Sequence, residues 1–127
     1  MREYYIKYLT FMLAGLTVYF SPIKSDLVFV GFLVICDWMT GMAKGVKGKN
    51  FNSSTAIRKF WVSIGYFIGL MIARSVEVYY GNDIPIVKAV VAIIAVSEIQ
   101  SLRENITYLT GVDILKPVTN MFKKNGK

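Results

Sequence analysis

Residues 27–43 read LVFVGFLVICDWMTGMA, an apolar run that contains one charged residue, Asp37. A helix of about 20 apolar residues crosses the hydrocarbon layer of a bilayer, and this run approaches that length. Similar runs occupy residues 5–20, 60–80 and 84–102. Because their apolar residues are continuous and do not alternate with polar ones, we expect helices and not barrel strands. The sequence therefore predicts an all-α, polytopic membrane protein with about four short transmembrane helices.

The composition of the whole chain supports this prediction. Of its 127 residues, 54% are hydrophobic, and the mean hydropathy is +0.47. A soluble fold of this size leaves roughly a third of its chain surface exposed, too much to hide so many apolar groups, so we expect the lipid bilayer to cover the rest. The chain has no histidine and one cysteine, Cys36, inside an apolar run. With no Walker loop and no G-x-S-x-G motif either, we expect no enzyme activity, cofactor or metal site.

The net charge of +7 raises the question of nucleic-acid binding. However, the basic residues lie between and beyond the apolar runs, as the positive-inside rule predicts for a membrane protein. The joint at residues 44–59 holds five basic residues and no acid. We therefore expect no nucleic-acid partner. The predicted location is the inner membrane of a bacterial cell, with this joint and both termini in the cytoplasm.

The C-terminal residues form a separate basic segment. Gly111 is a plausible helix C-cap, and we divide the chain there into a transmembrane helical domain, residues 1–111, and a tail, residues 112–127. In the tail, apolar residues recur at helical spacing among several lysines: Ile114, Leu115, Val118, Met121 and Phe122. This pattern predicts a short amphipathic helix on the inner leaflet, and a frayed basic tail is the equally weighted alternative.

Two polar stripes interrupt the apolar runs. The first contains Asp37, Thr40 and Gly41, which lie on one helical face. A charge at mid-membrane costs about 3 kcal/mol, so this face should meet protein or water. We expect Asp37 to reach Lys44 or Arg58 at the inner surface, to face water, or to carry a proton. A metal-dependent phospholipid-headgroup transferase would need several aspartates, and this stretch has only one.

The second stripe lies on one face of the last run. It comprises Glu98, Ser101 and Asn105, and Glu104 adjoins it. The same alternatives hold for Glu98 as for Asp37, because each carboxyl must find a cation, water or a proton.

Charged residues also occur near the opposite ends of the last two runs. Arg74, Glu77 and Lys88 should lie in the outer part of the membrane, and Glu77 is expected to pair with Lys88, Arg74 or both. Pairing would remove the cost of three isolated charges.

The third run also contains a ridge of small residues. Gly65 and Gly69 form a G-x-x-x-G motif, followed by Ala73 on the same ridge. Such ridges allow close packing of membrane helices, either between the subunits of a homo-oligomer or within one bundle.

Two motif blocks resemble a known family, the phage-lysis and toxin-secretion holins. The first block is DWMTG at residues 37–41, followed by the basic joint with NSS at 52–54 and the pair Arg58 and Lys59. The second block is EIQSLRENI at residues 98–106, followed by Gly111. The blocks occur in the order typical of this family.

The resemblance implies a protein that accumulates in the inner membrane, forms a homo-oligomer and opens lesions. An endolysin or toxin then crosses without needing to contact it. Pro117 lies later after Gly111 than the family spacing, which leaves the role of the tail open. The intramembrane charges also fit a small ion or solute channel or a transporter subunit, and the basic segments fit a passive membrane anchor of a larger complex.

Overall fold

The computed structural model of the chain describes residues 2–50, 52–81 and 83–124. The helices are α1 (Arg2–Phe20), α2 (Lys24–Lys47), α3 (Ser53–Tyr80), α4 (Ile86–Thr110) and α5 (Lys116–Lys124), with a 3-10 turn at Ser21–Ile23. No strand occurs within these ranges, which confirms the all-α prediction. The prediction of short helices is wrong for α2, α3 and α4, which have 24, 28 and 25 residues.

The helices exceed the apolar runs because polar residues at their ends are helical as well. The side-chain oxygen of Asn52 accepts hydrogen bonds from the Ser54 N–H at 3.0 Å and from the Ser54 hydroxyl at 2.8 Å. This N-cap starts α3 about two turns before its apolar run. At the other ends, Gly81 and Gly111 adopt left-handed φ angles of 91° and 75° and terminate α3 and α4. The predicted C-cap at Gly111 is confirmed.

The core lies between α2 and α4, with α3 packed mainly against α4. One buried stripe of α4 contains Val87, Val91 and Ile94, which recur at helical spacing. It packs against α2 and α3 residues such as Val30 and Leu70, both fully buried. Burying one such side chain contributes roughly 1.5–3 kcal/mol, so this stripe holds the three helices together as a bundle.

α1 does not join this bundle. None of residues 2–20 is buried, although the Tyr19 hydroxyl donates to Ser75 Oγ at 3.4 Å and Phe20 packs against the core. The expected reversal between the first two spans is absent from the described structure. Instead Arg2–Lys47 forms one 46-residue helical stretch through the 3-10 turn. The chain ends α3 and α4 at left-handed glycines, whereas no residue of the Ser21–Ile23 turn has a positive φ.

Two stretches of the described residues are long and apolar enough to cross a membrane, Arg2–Lys47 and Ser53–Tyr80. Only 22% and 11% of their most apolar windows are buried within the chain, unlike the core helix of a soluble protein. α4 does not qualify as a span, since Lys88, Glu98, Arg103 and Glu104 distribute charge along its length. The structure thus supports two candidate spans and does not establish four.

The tail contains a short helix, as predicted. Val118, Met121 and Phe122 lie at i, i+3 and i+4 of α5 and are exposed. The joint before α5 is held by an ion pair between Arg103 and Asp113. The Asp113 carboxylate also accepts a hydrogen bond from the Leu115 N–H at 3.1 Å. These contacts tie the start of the tail to the end of α4.

Candidate functional site

The side chain of Asp37 on α2 is the centre of a buried polar cluster and is only 5% exposed. Its Oδ2 accepts from Lys59 Nζ of α3 at 2.5 Å. Its Oδ1 accepts from the Ser101 hydroxyl at 2.6 Å and from Asn105 Nδ2 at 2.9 Å, both on α4. Together with Thr40, these residues form what we call the Asp37 cluster. Three helices therefore meet at one carboxylate.

The two predicted polar stripes supply most of this cluster. Thr40 lies one turn after Asp37, and its hydroxyl donates to the Cys36 carbonyl at 2.9 Å and accepts from Asn105 Nδ2 at 3.3 Å. Gly41 adjoins the cluster, because a Cβ there would be in van der Waals contact with Lys59 Nζ at 3.4 Å and with Asn105 Nδ2 at 3.7 Å. We expected the Asp37 face to meet protein or water, and in the structure it contacts side chains of α3 and α4.

The predicted cation partners of Asp37 were wrong. Lys44 lies over the Tyr108 ring, 5.4 Å from its centroid, and Arg58 is exposed. Lys59 is the partner because α3 begins at Ser53, which places Lys59 nearly two turns inside a helix facing α2. Sequence reasoning missed it by assigning residues 44–59 to a joint. The N-cap signal at Asn52, followed by two serines, was the available clue.

Glu98 is buried on the same face of α4 as Ser101 and Asn105. Its side chain lies near Tyr66 of α3, a residue that sequence reasoning did not single out. Glu104, by contrast, is exposed on the outside of α4. Of the second motif block, three polar residues thus face the bundle and Glu104 does not.

At the opposite end of the bundle, the predicted ion pair of Glu77 with Arg74 is present and the predicted pair of Glu77 with Lys88 is not. Lys88 Nζ lies 2.7 Å from Asp26 Oδ1, a residue just before the apolar run of α2. Glu77 does not pair with Lys88. Its Oε1 accepts from the Val87 N–H at 2.7 Å, and its Oε2 lies 3.9 Å from Arg74 Nη1. Glu77 therefore accepts from an N–H in the first turn of α4 that has no partner within the helix. The partial positive charge at a helix N-terminus favours a carboxylate at this position.

The residues of the small-residue ridge lie in two different environments. Ala73 is buried in the core at 3% exposure. A Cβ added at Gly65 or Gly69 would meet nothing within 4 Å. Among the described residues these two glycines have no close helix contact, whereas Ala73 of the same ridge packs in the chain's own bundle, so a contact between subunits stays a prediction.

Chemically, the Asp37 cluster is suited to holding helices together. Its carboxylate has a cation and two neutral donors, so its negative charge is compensated in a buried setting. Among residues 2–50, 52–81 and 83–124, no group of His, Cys, Asp and Glu could hold a metal ion. The cluster is accordingly a candidate for control of helix association.

The comparisons with known proteins give one match. The profile of the bacteriophage holin family matches residues 14–125, a range that includes both motif blocks and all of the Asp37 cluster. No curated protein and no solved structure matches the chain. The holin family consists of non-enzymatic membrane proteins, so the expectation that the chain is not an enzyme is confirmed. The match covers most of the chain, and the protein therefore belongs to the bacteriophage holin family.

Proposed function

We propose that this holin-family chain oligomerises in the bacterial inner membrane and opens lesions through which an endolysin or toxin crosses. The observation that carries the proposal is the apolar surface that the single chain leaves uncovered. α1 has no buried residue, and Phe11, for example, is 85% exposed. Lipid covers such a surface in a lone chain, and neighbouring copies would cover it in an assembly.

The open part of the α3 ridge supports a contact between copies. Gly65 and Gly69 lie one turn apart with free space above them, flanked by exposed Ile68 and Ile72. Small residues at this spacing let a second helix approach closely, which is how helices associate where lipid removes the hydrophobic drive. A helix of a second copy is the occupant we propose.

We place the joint of residues 44–59 and the C-terminus in the cytoplasm. The two lie at the same end of the bundle, because Lys47 Nζ donates to the Leu109 carbonyl at 2.7 Å. A concentration of basic residues at one end favours the cytoplasmic side. We also place the N-terminus there, which requires the chain to reverse at the Ser21–Ile23 turn on insertion.

Single cysteines in a Cys36→Ser background test this orientation. An impermeant thiol reagent applied to intact cells should label a cysteine at Ser25 and leave cysteines at Asn52 and Arg2 unlabelled. Labelling at Asn52 would show that the orientation is the reverse of the proposed one. Labelling at Arg2 alone would place α1 across the membrane with its start outside.

Lesion formation is tested by induced expression with a co-expressed endolysin that has no secretion signal. We expect loss of membrane potential, loss of viability and release of the endolysin. A small channel would dissipate the potential without releasing the endolysin, and a passive anchor would do neither. Normal growth with abundant protein in the membrane contradicts the proposal.

Gly69→Leu tests the contact between copies, with Gly15→Leu as the matched control. A Cβ at Gly15 also meets nothing within 4 Å, but Gly15 lies outside the G-x-x-x-G motif. Gly69→Leu should shift a crosslinked ladder toward monomer without reducing insertion, and Gly15→Leu should not. Equal ladders for both variants and the unsubstituted chain would remove the ridge from the proposal.

A further inference from the structure

A cavity of about 440 Å³ opens at the basic end of the bundle, between α2, the start of α3 and the end of α4. Its lining includes Trp38, Lys44, Gly45, Lys59 and Tyr108, and no described acidic residue lines it. Lys59 belongs to the Asp37 cluster and also lines this cavity. The other cavity-lining lysine, Lys44, takes no part in that cluster.

Helix α2 contributes three glycine residues to the wall of the cavity. Gly41, Gly45 and Gly48 lie at i, i+4 and i+7 and all line the space. The Tyr108 hydroxyl lies so close to Gly48 that an added Cβ would be 2.9 Å from it. The absence of a side chain at Gly48 thus lets Tyr108 approach α2 and form part of the cavity wall.

The lining combines cations with apolar walls. Lys44 Nζ lies over the Tyr108 ring, and the Lys59 side chain is 34% exposed although it pairs with Asp37. Trp38, Met42 and other apolar groups form most of the remaining wall. A ligand that fits this lining carries a negative charge at one part and an apolar body at another.

We propose that this cavity binds the headgroup of an anionic phospholipid. Its phosphate would lie near Lys44 and Lys59, and the start of its acyl chains near Trp38 and Met42. Basic pockets between helices at the cytoplasmic surface are suited to such headgroups. A soluble phosphate ester shares the charge but leaves the apolar wall unused. The inference rests on the membrane location of the holin family and not on lesion formation.

The test uses the purified full chain in a neutral detergent with three probes. These are dioleoylphosphatidylglycerol, dioleoylphosphatidylcholine and glycerol 3-phosphate. Phosphatidylglycerol should raise the Tm saturably and remain bound at one molecule per chain in native mass spectrometry. The zwitterionic lipid and the soluble phosphate should do neither. An equal response to phosphatidylcholine would show that the site does not select for negative charge and would overturn the proposal. An equal response to glycerol 3-phosphate would show that the ligand is a soluble phosphate and not a lipid.

Two variants and a matched control locate the site. Lys44→Gln removes one cavity cation, and loss of a hydrogen bond to a charged group weakens binding about tenfold. Gly45→Leu fills the cavity without changing the charge and should abolish saturable binding. Lys49→Gln removes the same charge from an exposed lysine outside the lining and should change affinity less than twofold.

If Lys44→Gln and Lys49→Gln bind phosphatidylglycerol with equal affinity, binding depends on the overall surface charge and not on this cavity. That result would overturn the proposed site. Unchanged binding by Gly45→Leu would overturn it as well. If Gly45→Leu fails to fold, the comparison of the two lysine variants decides. Since lipid binding is measured without lysis, its failure is distinct from failure of the lesion proposal.

Discussion

Helix α2 carries two aspartates that each pair with a lysine, Asp26 in its first turn and Asp37 near its middle, but the surroundings of the two pairs differ. Asp26 pairs with Lys88, whose side chain is 68% exposed, and the structure gives that carboxylate no other side-chain donor among the described residues. Asp37 pairs with Lys59, which is 34% exposed, and also accepts from Ser101 and Asn105. The Asp26 carboxylate is buried as well, at 12% exposure, but its lysine reaches solvent, whereas Asp37 is the centre of a cluster with three donors.

This difference sets the energetic consequence of losing each pair. Exposed ion pairs contribute about 0–1 kcal/mol, because water and salt screen them and two long side chains must be ordered. Breaking a buried pair costs about 3–5 kcal/mol, because the remaining charge has no partner. The comparison predicts that variants at Asp37 have large effects and equivalent variants at Asp26 small ones.

The largest effect is expected for Asp37→Leu. The change leaves Lys59 without its carboxylate and two donors of α4 without their acceptor. The free energy of unfolding should therefore fall by roughly 3 kcal/mol. This value is at the low end for a buried ion pair because Lys59 is partly exposed to water. Thermal unfolding in detergent measures it. The double variant Asp37→Leu with Lys59→Met should recover part of the loss, and a double variant as unstable as the single one would contradict the importance of the ion pair.

A smaller effect is expected for Asp37→Asn. The amide oxygen still accepts from Ser101 or Asn105, while the charge opposite Lys59 is lost, so the decrease should be about 1–2 kcal/mol. The variant should insert and accumulate normally but lyse cells at a different time. If its timing matches that of the unsubstituted protein, Asp37 acts as a hydrogen-bonding group only. If Asp37→Leu also leaves timing unchanged, the cluster has no role in lysis.

Asp26→Asn should lower the free energy of unfolding by less than Asp37→Asn does, because Lys88 is mostly exposed and solvent screens its charge, although the Asp26 carboxylate is buried. Its thermal unfolding should also depend less on salt concentration than that of the unsubstituted protein. A loss as large as that of Asp37→Asn would show that the two ion pairs of α2 are energetically equivalent and would contradict the comparison.

The smallest effect on the bundle is expected at the tail. The hydrogen bond from Arg103 lowers the pKa of Asp113 below 3.8. Because the folded pKa lies below the unfolded value, the contribution of this pair is present at neutral pH and is lost as the pH falls below about 4. Arg103→Gln should raise hydrogen exchange in α5 at pH 7 without changing the Tm of the bundle. Equal hydrogen exchange in α5 for Arg103→Gln and the unsubstituted chain at pH 7 would contradict the role of this pair.

The sequence was sufficient to predict the elements that depend on local patterns. The apolar runs predicted helices, the polar spacing predicted the inward face of Ser101 and Asn105, and Gly111 predicted the end of α4. These features repeat at helical spacing or need a left-handed φ, so they are visible without tertiary information.

The pairing of charges was not predictable in the same way. Lys59 and Asp26 lie outside the apolar runs, so runs defined by hydropathy alone excluded the two residues that complete the ion pairs. Which lysine reaches a given aspartate depends on where each helix begins and how the helices rotate, which only packing determines. The separation of α1 from the bundle was missed because its apolar run resembles the others, although none of its residues is buried in the structure.

The continuity of α1 and α2 has a consequence for insertion. A straight helix of 46 residues would measure about 69 Å, more than twice the roughly 30 Å of a hydrocarbon layer. The stretch cannot cross a bilayer as one rod, so inserting it requires a bend. Ser21–Ile23 is where a bend disrupts least, because it is already a 3-10 turn and Pro22 has no N–H to donate. The thickness of the surrounding membrane thus selects the shape of the N-terminal third of the chain.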